Sequence, residues 1–105
     1  MPQYILVYVG GEEPSNRDAG EKHMAEYMEW LSGLGDKAVS PANPLKQTRT
    51  VHPDGSVTHG SSTTMSGYTV IDVETMDEAL SIATACPFLN AGGSLEVSEL
   101  GQMPG

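Results

Sequence analysis

The sequence is short of cysteine, of basic side chains and of long apolar runs, and each shortage excludes a class of protein. Its 105 residues contain one cysteine, Cys86, so neither an internal disulfide nor a metal site built on several thiolates can form. Five residues are lysine or arginine and 14 are aspartate or glutamate, which gives a formal net charge of −9. An average field of this sign repels phosphate groups, so we expect neither a nucleic acid nor a membrane surface as a partner.

No apolar stretch approaches the ~20 residues that cross a bilayer. The N-terminal sequence MPQYILVYVGGEEP has no basic segment before its short apolar run, so it does not resemble a signal peptide. We therefore expect a cytoplasmic protein. No linker or internal repeat divides the chain, and residues 1–105 are predicted to form one domain. The C-terminal GQMPG is expected to fray.

The first predicted strand, Gln3–Val9, is apolar on both faces. In QYILVYV, tyrosine and leucine on one face alternate with isoleucine and valine on the other. A strand of this kind is usually covered on both sides. Loop residues follow it, and a helix is predicted from about Ala19 to Leu34, with Gly33 or Gly35 as its C-cap. One apolar stripe on this helix consists of Met24, Tyr27, Met28, Leu31 and Leu34.

The second half of the chain contains a hairpin, a strand, a helix and a strand. The turn residues Pro53-Asp54-Gly55 indicate an exposed hairpin in TRTVHPDGSVTH, at an edge. A strand is predicted at Tyr68–Glu74, and a last strand at Ser94–Leu100. Between them, TMDEALSIATAC is a helix that Pro87 stops. Thr75 and Glu78 have the spacing of a capping box, and the residues expected to face the core are Ala79, Leu80, Ala83 and Cys86.

This order predicts an α+β fold, the ferredoxin-like βαββαβ arrangement with an extra β-hairpin. Two helices on one side of an antiparallel sheet cover only one of its faces. The first strand, however, is apolar on both. The uncovered face therefore needs a partner, and we predict a homodimer formed through this face of the sheet.

Several segments of the sequence resemble the YCII-related proteins. They are YILVYVGG, the helix with Trp30 ahead of GLG, SPANP, SGYTVIDVETMDEALSIATACP and AGGSLEVSEL. Together they span nearly the whole chain. The resemblance implies the fold of the dimeric α/β-barrel superfamily, in which two ferredoxin-like protomers pack their sheets together. This agrees with the homodimer argued from the first strand.

The resemblance also implies a candidate acid–base centre. In some members of the family a histidine at the start of the first helix and an aspartate are proposed to act together, and His23 stands roughly where that histidine falls. The family aspartate is expected near SPANPLKQ, where this chain has Asn43; Asp36 is a possible substitute. The DGPF motif of one branch is replaced by HGSSTTMSG. Another branch includes a dehydrochlorinase that acts on a chlorinated hydroxyhydroquinone.

Spacing places His23, Tyr27 and Trp30 on one face of the first helix. In the functional interpretation His23 is a general base, suited to that role by an unperturbed pKa near neutrality, and the two aromatic rings shape a pocket. In the structural interpretation His23 is an exposed residue at a helix start, and the rings are core. Both interpretations remain open on the sequence.

Three further residues are candidates for binding a ligand. Asn43 lies between two prolines that stiffen its loop, although it could equally hydrogen-bond the local backbone. Tyr8 could direct its hydroxyl into a cavity at the sheet edge or pack in a dimer interface. His59 follows the hairpin and precedes a Ser/Thr-rich loop. The scattered histidines lack metal-ligand spacing, so we expect no metal, and no cofactor motif is present.

Two functions are compatible with the sequence. One is a small cofactor-independent enzyme in which His23 performs acid–base chemistry on a small, aromatic organic molecule. The other is a non-catalytic dimeric module that binds a small ligand or regulates a partner. The sequence does not decide whether the protein is an enzyme.

Overall fold

The computed structural model describes residues 2–12 and 15–101, and these contain six strands and two helices. Residues 102–105, most of the tail expected to fray, lie outside the described part. In chain order the elements are β1 Gln3–Gly10, α1 Arg17–Leu34, β2 Ala38–Pro44, β3 Arg49–Val51, β4 Val57–His59, β5 Met65–Asp72, α2 Met76–Thr84 and β6 Gly93–Glu99. Short 3₁₀ helices follow α1 at Gly35–Lys37 and α2 at Pro87–Ala91.

Four strands form an antiparallel sheet in the order β2-β5-β1-β6. With α1 after β1 and α2 after β5, this is the ferredoxin-like arrangement, and the predicted fold is confirmed. The predicted hairpin is also present, as β3 paired with β4. Its expected place at a sheet edge is wrong, because the two strands form a separate sheet of their own.

Helix α1 begins two residues before the predicted start because Asn16 caps it. The Asn16 side chain accepts a hydrogen bond from the backbone N–H of Ala19, with 2.8 Å between nitrogen and oxygen. Gly35 is the C-cap at φ 55°, a conformation that glycine adopts without steric cost, whereas Gly33 lies inside the helix.

The predicted apolar stripe of α1 is buried only in its second half. Leu31 is buried and Leu34 packs against the core, but Met24 and Met28 are 56% and 53% exposed. The stripe exists, but its two methionines lie outside the core, because the first half of α1 lies over an open cavity rather than over packed side chains.

Helix α2 starts at the predicted cap, where Thr75 accepts a hydrogen bond from the N–H of Glu78. Ala79, Ala83 and Cys86 are buried as predicted. Leu80 is 43% exposed, contrary to the prediction, since it is turned about 100° around the helix axis from Ala79. The helix ends at Thr84, and Pro87 starts the following 3₁₀ helix instead of stopping α2 directly.

The two faces of the main sheet differ in what covers them. On one face both helices pack over a core that consists of Tyr4, Leu6, Ile71, Val73, Ala79 and Ala83. Side chains alternate between the faces along a strand, so the opposite face carries Ile5, Val7, Val9, Tyr68 and Val70, all half-buried. We call this the bare face. In the described part of the chain, no helix is long and apolar enough to cross a membrane.

Candidate functional site

A cavity of about 280 Å³ lies on the helix-covered side of the sheet, between the first half of α1 and the ends of β1, β2 and β5. Aromatic and thioether side chains form most of its wall. It is lined by Tyr8, His23, Met24, Tyr27, Met28, Ala42, Asn43, Pro44, Ser66, Gly67 and Phe88. This composition suits a small, largely apolar ligand.

Strand β2, which contributes Ala42, Asn43 and Pro44 to the cavity, lies at an edge of the sheet, a position in which prolines are tolerated. The pairing of β2 with β5 shifts register twice between Ala38 and Asn43. Gly67 of β5 permits this close approach, since a Cβ there would lie 2.9 Å from the carbonyl oxygen of Asn43. The backbone of β2 thereby forms one wall of the cavity.

Three hydroxyl groups are linked at the inner end of the cavity. The Tyr8 hydroxyl is hydrogen-bonded to the Tyr27 hydroxyl, at 2.8 Å between the oxygens, and to the Thr69 hydroxyl. Thr69, which is fully buried, donates to the backbone carbonyl of Pro41 at 2.6 Å. Burial raises the pKa of Tyr8 far above its usual range, so its phenol stays protonated at any physiological pH.

Two aromatic rings pack against the ring of Tyr8 at an angle. Its ring centroid lies 5.2 Å from that of Phe88 and 5.9 Å from that of Tyr27, the second pair in an edge-to-face arrangement. Phe88 sits against two glycines, since a Cβ on Gly93 would lie 2.1 Å from its ring and one on Gly11 would lie 2.8 Å away. The position of Phe88 therefore depends on both glycines.

His23 is half-buried on α1, four residues before Tyr27 and hence on the same helix face. It lines the cavity and also a second, wider depression of about 730 Å³. That depression is polar and is lined by residues that include Lys22, Glu26 and Asn90. None of the described residues is hydrogen-bonded to the His23 ring. The imidazole thus stands at the boundary between an apolar cavity and a polar surface, with its nitrogens available to a ligand or to water.

The structure brings four of the six candidate residues together and leaves two outside. Tyr8, His23, Tyr27 and Asn43 line the cavity. Trp30 does not: it packs against the core, and its indole N–H donates to the carbonyl of Ile82 at 3.1 Å. His59 lies in β4 of the separate hairpin and is exposed.

The side chain of Asn43 holds β2 to its neighbours. Its amide nitrogen donates to the hydroxyl and the carbonyl of Ser40, at 2.9 and 3.3 Å, and to the carbonyl of Tyr68 at 3.2 Å. Asp36 is exposed in the 3₁₀ helix after α1 and does not line the cavity. No carboxylate is among the cavity-lining residues, so within the described chain His23 has no acidic partner there.

Sequence reasoning missed Thr69, Phe88 and the two methionines of the cavity. Thr69 shares a strand face with Ile71, and a threonine on the covered face of a strand was a usable signal, because a buried hydroxyl needs a partner. Phe88 falls between the second predicted helix and the last predicted strand, a segment for which no element was predicted. The exposure of Met24 and Met28 had no signal, since their spacing is that of an ordinary core stripe.

Cys86 is buried next to this region and takes no visible part in it. Burial raises the pKa of its thiol, which disfavours the reactive thiolate. Across residues 2–12 and 15–101, no group of three or more histidine, cysteine, aspartate or glutamate side chains is arranged to hold a metal ion.

The topology and the cavity define a small α+β protein with a ferredoxin-like fold and a histidine at the mouth of an apolar pocket. Residues 3–103 match the model of the YCII-related domain. The chain therefore belongs to the YCII-related family, as the resemblance of its sequence segments predicted.

A solved structure with a similar fold is 5-chloro-2-hydroxyhydroquinone dehydrochlorinase from Burkholderia phenoliruptrix AC1100, in complex with 2,5-dihydroxybenzoquinone. The similarity has a TM-score of 0.60, with 16% sequence identity, and covers 96% of this chain and 95% of that one. At this identity the likeness concerns the fold alone. No curated protein matches the sequence.

Proposed function

We propose that this chain is a small enzyme that needs no cofactor and that binds a single-ring aromatic molecule in the Tyr8–Tyr27 cavity, where His23 moves a proton. One observation carries the proposal. A histidine without a hydrogen-bond partner among the described residues stands between an apolar cavity and a polar depression. A general base needs this access, because it must reach a ligand on one side and exchange its proton with water on the other.

The size and walls of the cavity support a single-ring ligand. A volume of about 280 Å³ is at the small end of ligand pockets. The rings of Tyr8, Tyr27 and Phe88 offer edges and faces against which a flat ring can pack. The dehydrochlorinase of similar fold was solved with a dihydroxybenzoquinone, so hydroxylated single rings are reasonable first ligands to test.

The expected step is proton transfer from a ring hydroxyl to the neutral imidazole of His23. The O–H bond breaks, the imidazole nitrogen gains the proton, and the ligand becomes a phenolate whose charge spreads over its ring. The proton then leaves through the polar depression. No carboxylate lines the cavity to hold the imidazolium, so we expect modest proton-transfer catalysis rather than that of a full histidine–aspartate pair.

A second candidate function has its own supporting observation. Asn43, which stands about where the family aspartate is expected, directs its amide at the backbone of the sheet edge rather than at His23. A cavity without an acid–base pair would suit a non-catalytic module that binds a small ligand.

The experiment that separates these functions is an NMR titration of the three imidazoles with hydroxylated single-ring ligands, followed by an assay of turnover. We expect the His23 signal to move on ligand addition while that of His52 stays still, because His52 lies on the separate hairpin. His23→Gln should then lower turnover by about 10²-fold or more, a typical contribution of a general base, whereas the control His52→Gln should not.

Ligand binding with no turnover, or turnover that survives His23→Gln, would favour the binding module. A His23 signal that ignores every ligand would refute both functions for this cavity.

We also propose that the protein is a homodimer in which a second copy covers the bare face. Ile5, Val7 and Val70 form an apolar strip across the two central strands of this face, and neither helix packs on it. The hairpin supports the same conclusion, because its paired residues Val51 and Val57 are 70% and 59% exposed. A lone two-stranded hairpin is marginally stable in water, so a partner that packs against it is expected.

A further inference from the structure

We propose that the cavity selects ligands that donate a hydrogen bond, such as a ring hydroxyl, over ligands that only accept one, and that Thr69 is the positioning residue behind this selectivity. The inference rests on the proposed function in one respect, that the cavity binds a small ring compound. It adds the direction of one hydrogen bond: a ring hydroxyl, separate from the one that gives its proton to His23, donates to Tyr27.

The argument starts at Pro41, where the direction of the hydrogen bonds is determined. The carbonyl oxygen of Pro41 can only accept, and it lies 2.6 Å from the hydroxyl oxygen of Thr69. Two oxygens this close require a proton between them. The single hydroxyl proton of Thr69 is therefore committed to Pro41, and toward Tyr8 the Thr69 oxygen can only accept.

The remaining protons follow from this first one. Tyr8 must donate its proton to Thr69, and it has no other. The contact of 2.8 Å between the Tyr8 and Tyr27 oxygens then needs the proton of Tyr27. Protons therefore point inward along the whole chain, from Tyr27 to Tyr8, from Tyr8 to Thr69 and from Thr69 to Pro41.

Tyr27 is left with lone pairs and no proton to offer. A ligand group that reaches its oxygen has to donate a hydrogen bond; a carbonyl or ether oxygen would meet a lone pair. If the backbone at the inner end offered an N–H instead of the Pro41 carbonyl, every hydrogen bond in the series would run the other way, and Tyr27 would donate to the ligand. Because Thr69 donates to the Pro41 carbonyl, it must accept from Tyr8, and Tyr27 is left as a hydrogen-bond acceptor in the cavity.

The side chains of Asn43 and Ser66, which also line the cavity, likewise have no free donor to offer a ligand. The amide nitrogen of Asn43 is engaged by Ser40 and Tyr68, so its carbonyl oxygen is the part left for a ligand. The Ser66 hydroxyl donates to the backbone carbonyl of Tyr8. Apart from His23, which can donate or accept, every side-chain donor that lines the cavity is already used within the protein.

The test compares phenol, whose hydroxyl can donate, with acetophenone, whose carbonyl only accepts, in the intact protein. A third ligand, 4-ethylphenol, is a donor with as many heavy atoms as acetophenone and controls for the difference in size. Dissociation constants come from NMR shifts of the Tyr27 and His23 signals. In the wild type we expect phenol to bind roughly five- to tenfold more tightly than acetophenone, about the value of one neutral hydrogen bond.

Thr69→Val removes the acceptor for the Tyr8 proton while keeping a β-branched side chain of similar volume. Tyr8 can then donate to Tyr27, and Tyr27 can donate into the cavity, so the preference for phenol should disappear or reverse. Thr69→Ser keeps the hydroxyl and should keep the preference. Tyr27→Phe, a change on the cavity side that leaves the buried threonine intact, should abolish the preference for phenol without favouring acetophenone.

An NMR measurement on the protein without ligand tests which hydroxyl donates in each of these hydrogen bonds. In the free protein, the slowly exchanging hydroxyl proton of Tyr8 should show a nuclear Overhauser effect to the methyl group of Thr69, and Thr69→Ser should retain that hydroxyl signal.

Equal binding of phenol and acetophenone by the wild type, or an unchanged preference in both Thr69→Val and Tyr27→Phe, would overturn this inference and leave the proposed ligand site standing. If neither compound shifts the Tyr27 or His23 signals, the ligand site itself is refuted, and the selectivity falls with it. These two failures are therefore distinguishable.

Discussion

The two faces of the main sheet are built from the same strands, yet only one of them is complete within a single chain. Val70 and Ile71 are neighbours in β5 and point to opposite faces: Ile71 is fully buried under the helices, whereas Val70 lies half-buried on the bare face. The covered face contains both the core and the cavity. Folding and ligand binding therefore depend on one face of the sheet, while assembly, as we propose it, depends on the other.

The largest effect is expected from Ile71→Ala on the covered face. Removing three carbons from a fully buried position should lower the free energy of unfolding by about 2–5 kcal/mol, through lost burial and the cavity left behind. Urea denaturation at a fixed protomer concentration measures this, because association would itself contribute to stability. A loss below 1 kcal/mol would mean that the covered face is not the main source of stability.

The next effect is expected from Val70→Lys on the bare face, where we predict dissociation rather than unfolding. Burying two lysines against each other should cost about 2 kcal/mol or more in the free energy of association, which weakens the dimer by at least about thirtyfold. Sedimentation or light scattering gives the mass, and circular dichroism checks the fold.

Leu80→Lys is the matched control for this variant, since it changes an exposed apolar residue on the helix side of the sheet. It should leave the mass unchanged. If both variants stay dimeric, or if the wild type is monomeric at micromolar concentration, the bare face is not the interface.

Most of the fold could be predicted from the sequence because its signals are local. Alternation in β1, the Thr75 cap and the Pro-Asp-Gly turn each specify an element without reference to the rest of the chain. The exposure of Met24, Met28 and Leu80 could not be predicted in this way. Periodicity shows that residues share a helix face, but whether another element covers that face is decided by tertiary packing.

The candidate site could be predicted in part, for a related reason. His23 and Tyr27 share a helix face by spacing, so their proximity is encoded locally. Tyr8 and Thr69 meet because β1 and β5 pair in one particular register, and Phe88 lies in the 3₁₀ helix that follows α2. The hydroxyl chain that ends at Pro41 depends on a contact across 28 residues, which no local pattern in one sequence reveals.

The smallest effect is expected from Gly93→Ala, which tests how the cavity end of the covered face is packed. The new methyl group would lie 2.1 Å from the ring of Phe88 in its present position, so the ring must move away from its contact with Tyr8. Overpacking of this kind typically costs about 1–3 kcal/mol. We expect Gly93→Ala to lower the free energy of unfolding by about 1.5 kcal/mol, in the lower half of this range. The reason is that Phe88 is only half-buried and can shift toward solvent.

Gly33→Ala provides the matched control for Gly93→Ala. Gly33 lies inside α1, and apart from its chain neighbours and the backbone of its own helix no atom stands within 4 Å of an added Cβ, so alanine there should stabilise the helix by up to about 1 kcal/mol. The two glycine variants should therefore move the urea midpoint in opposite directions, and only Gly93→Ala should weaken phenol binding. If Gly93→Ala destabilised the protein but left phenol binding intact, Phe88 would serve the packing of the covered face and not the shape of its cavity.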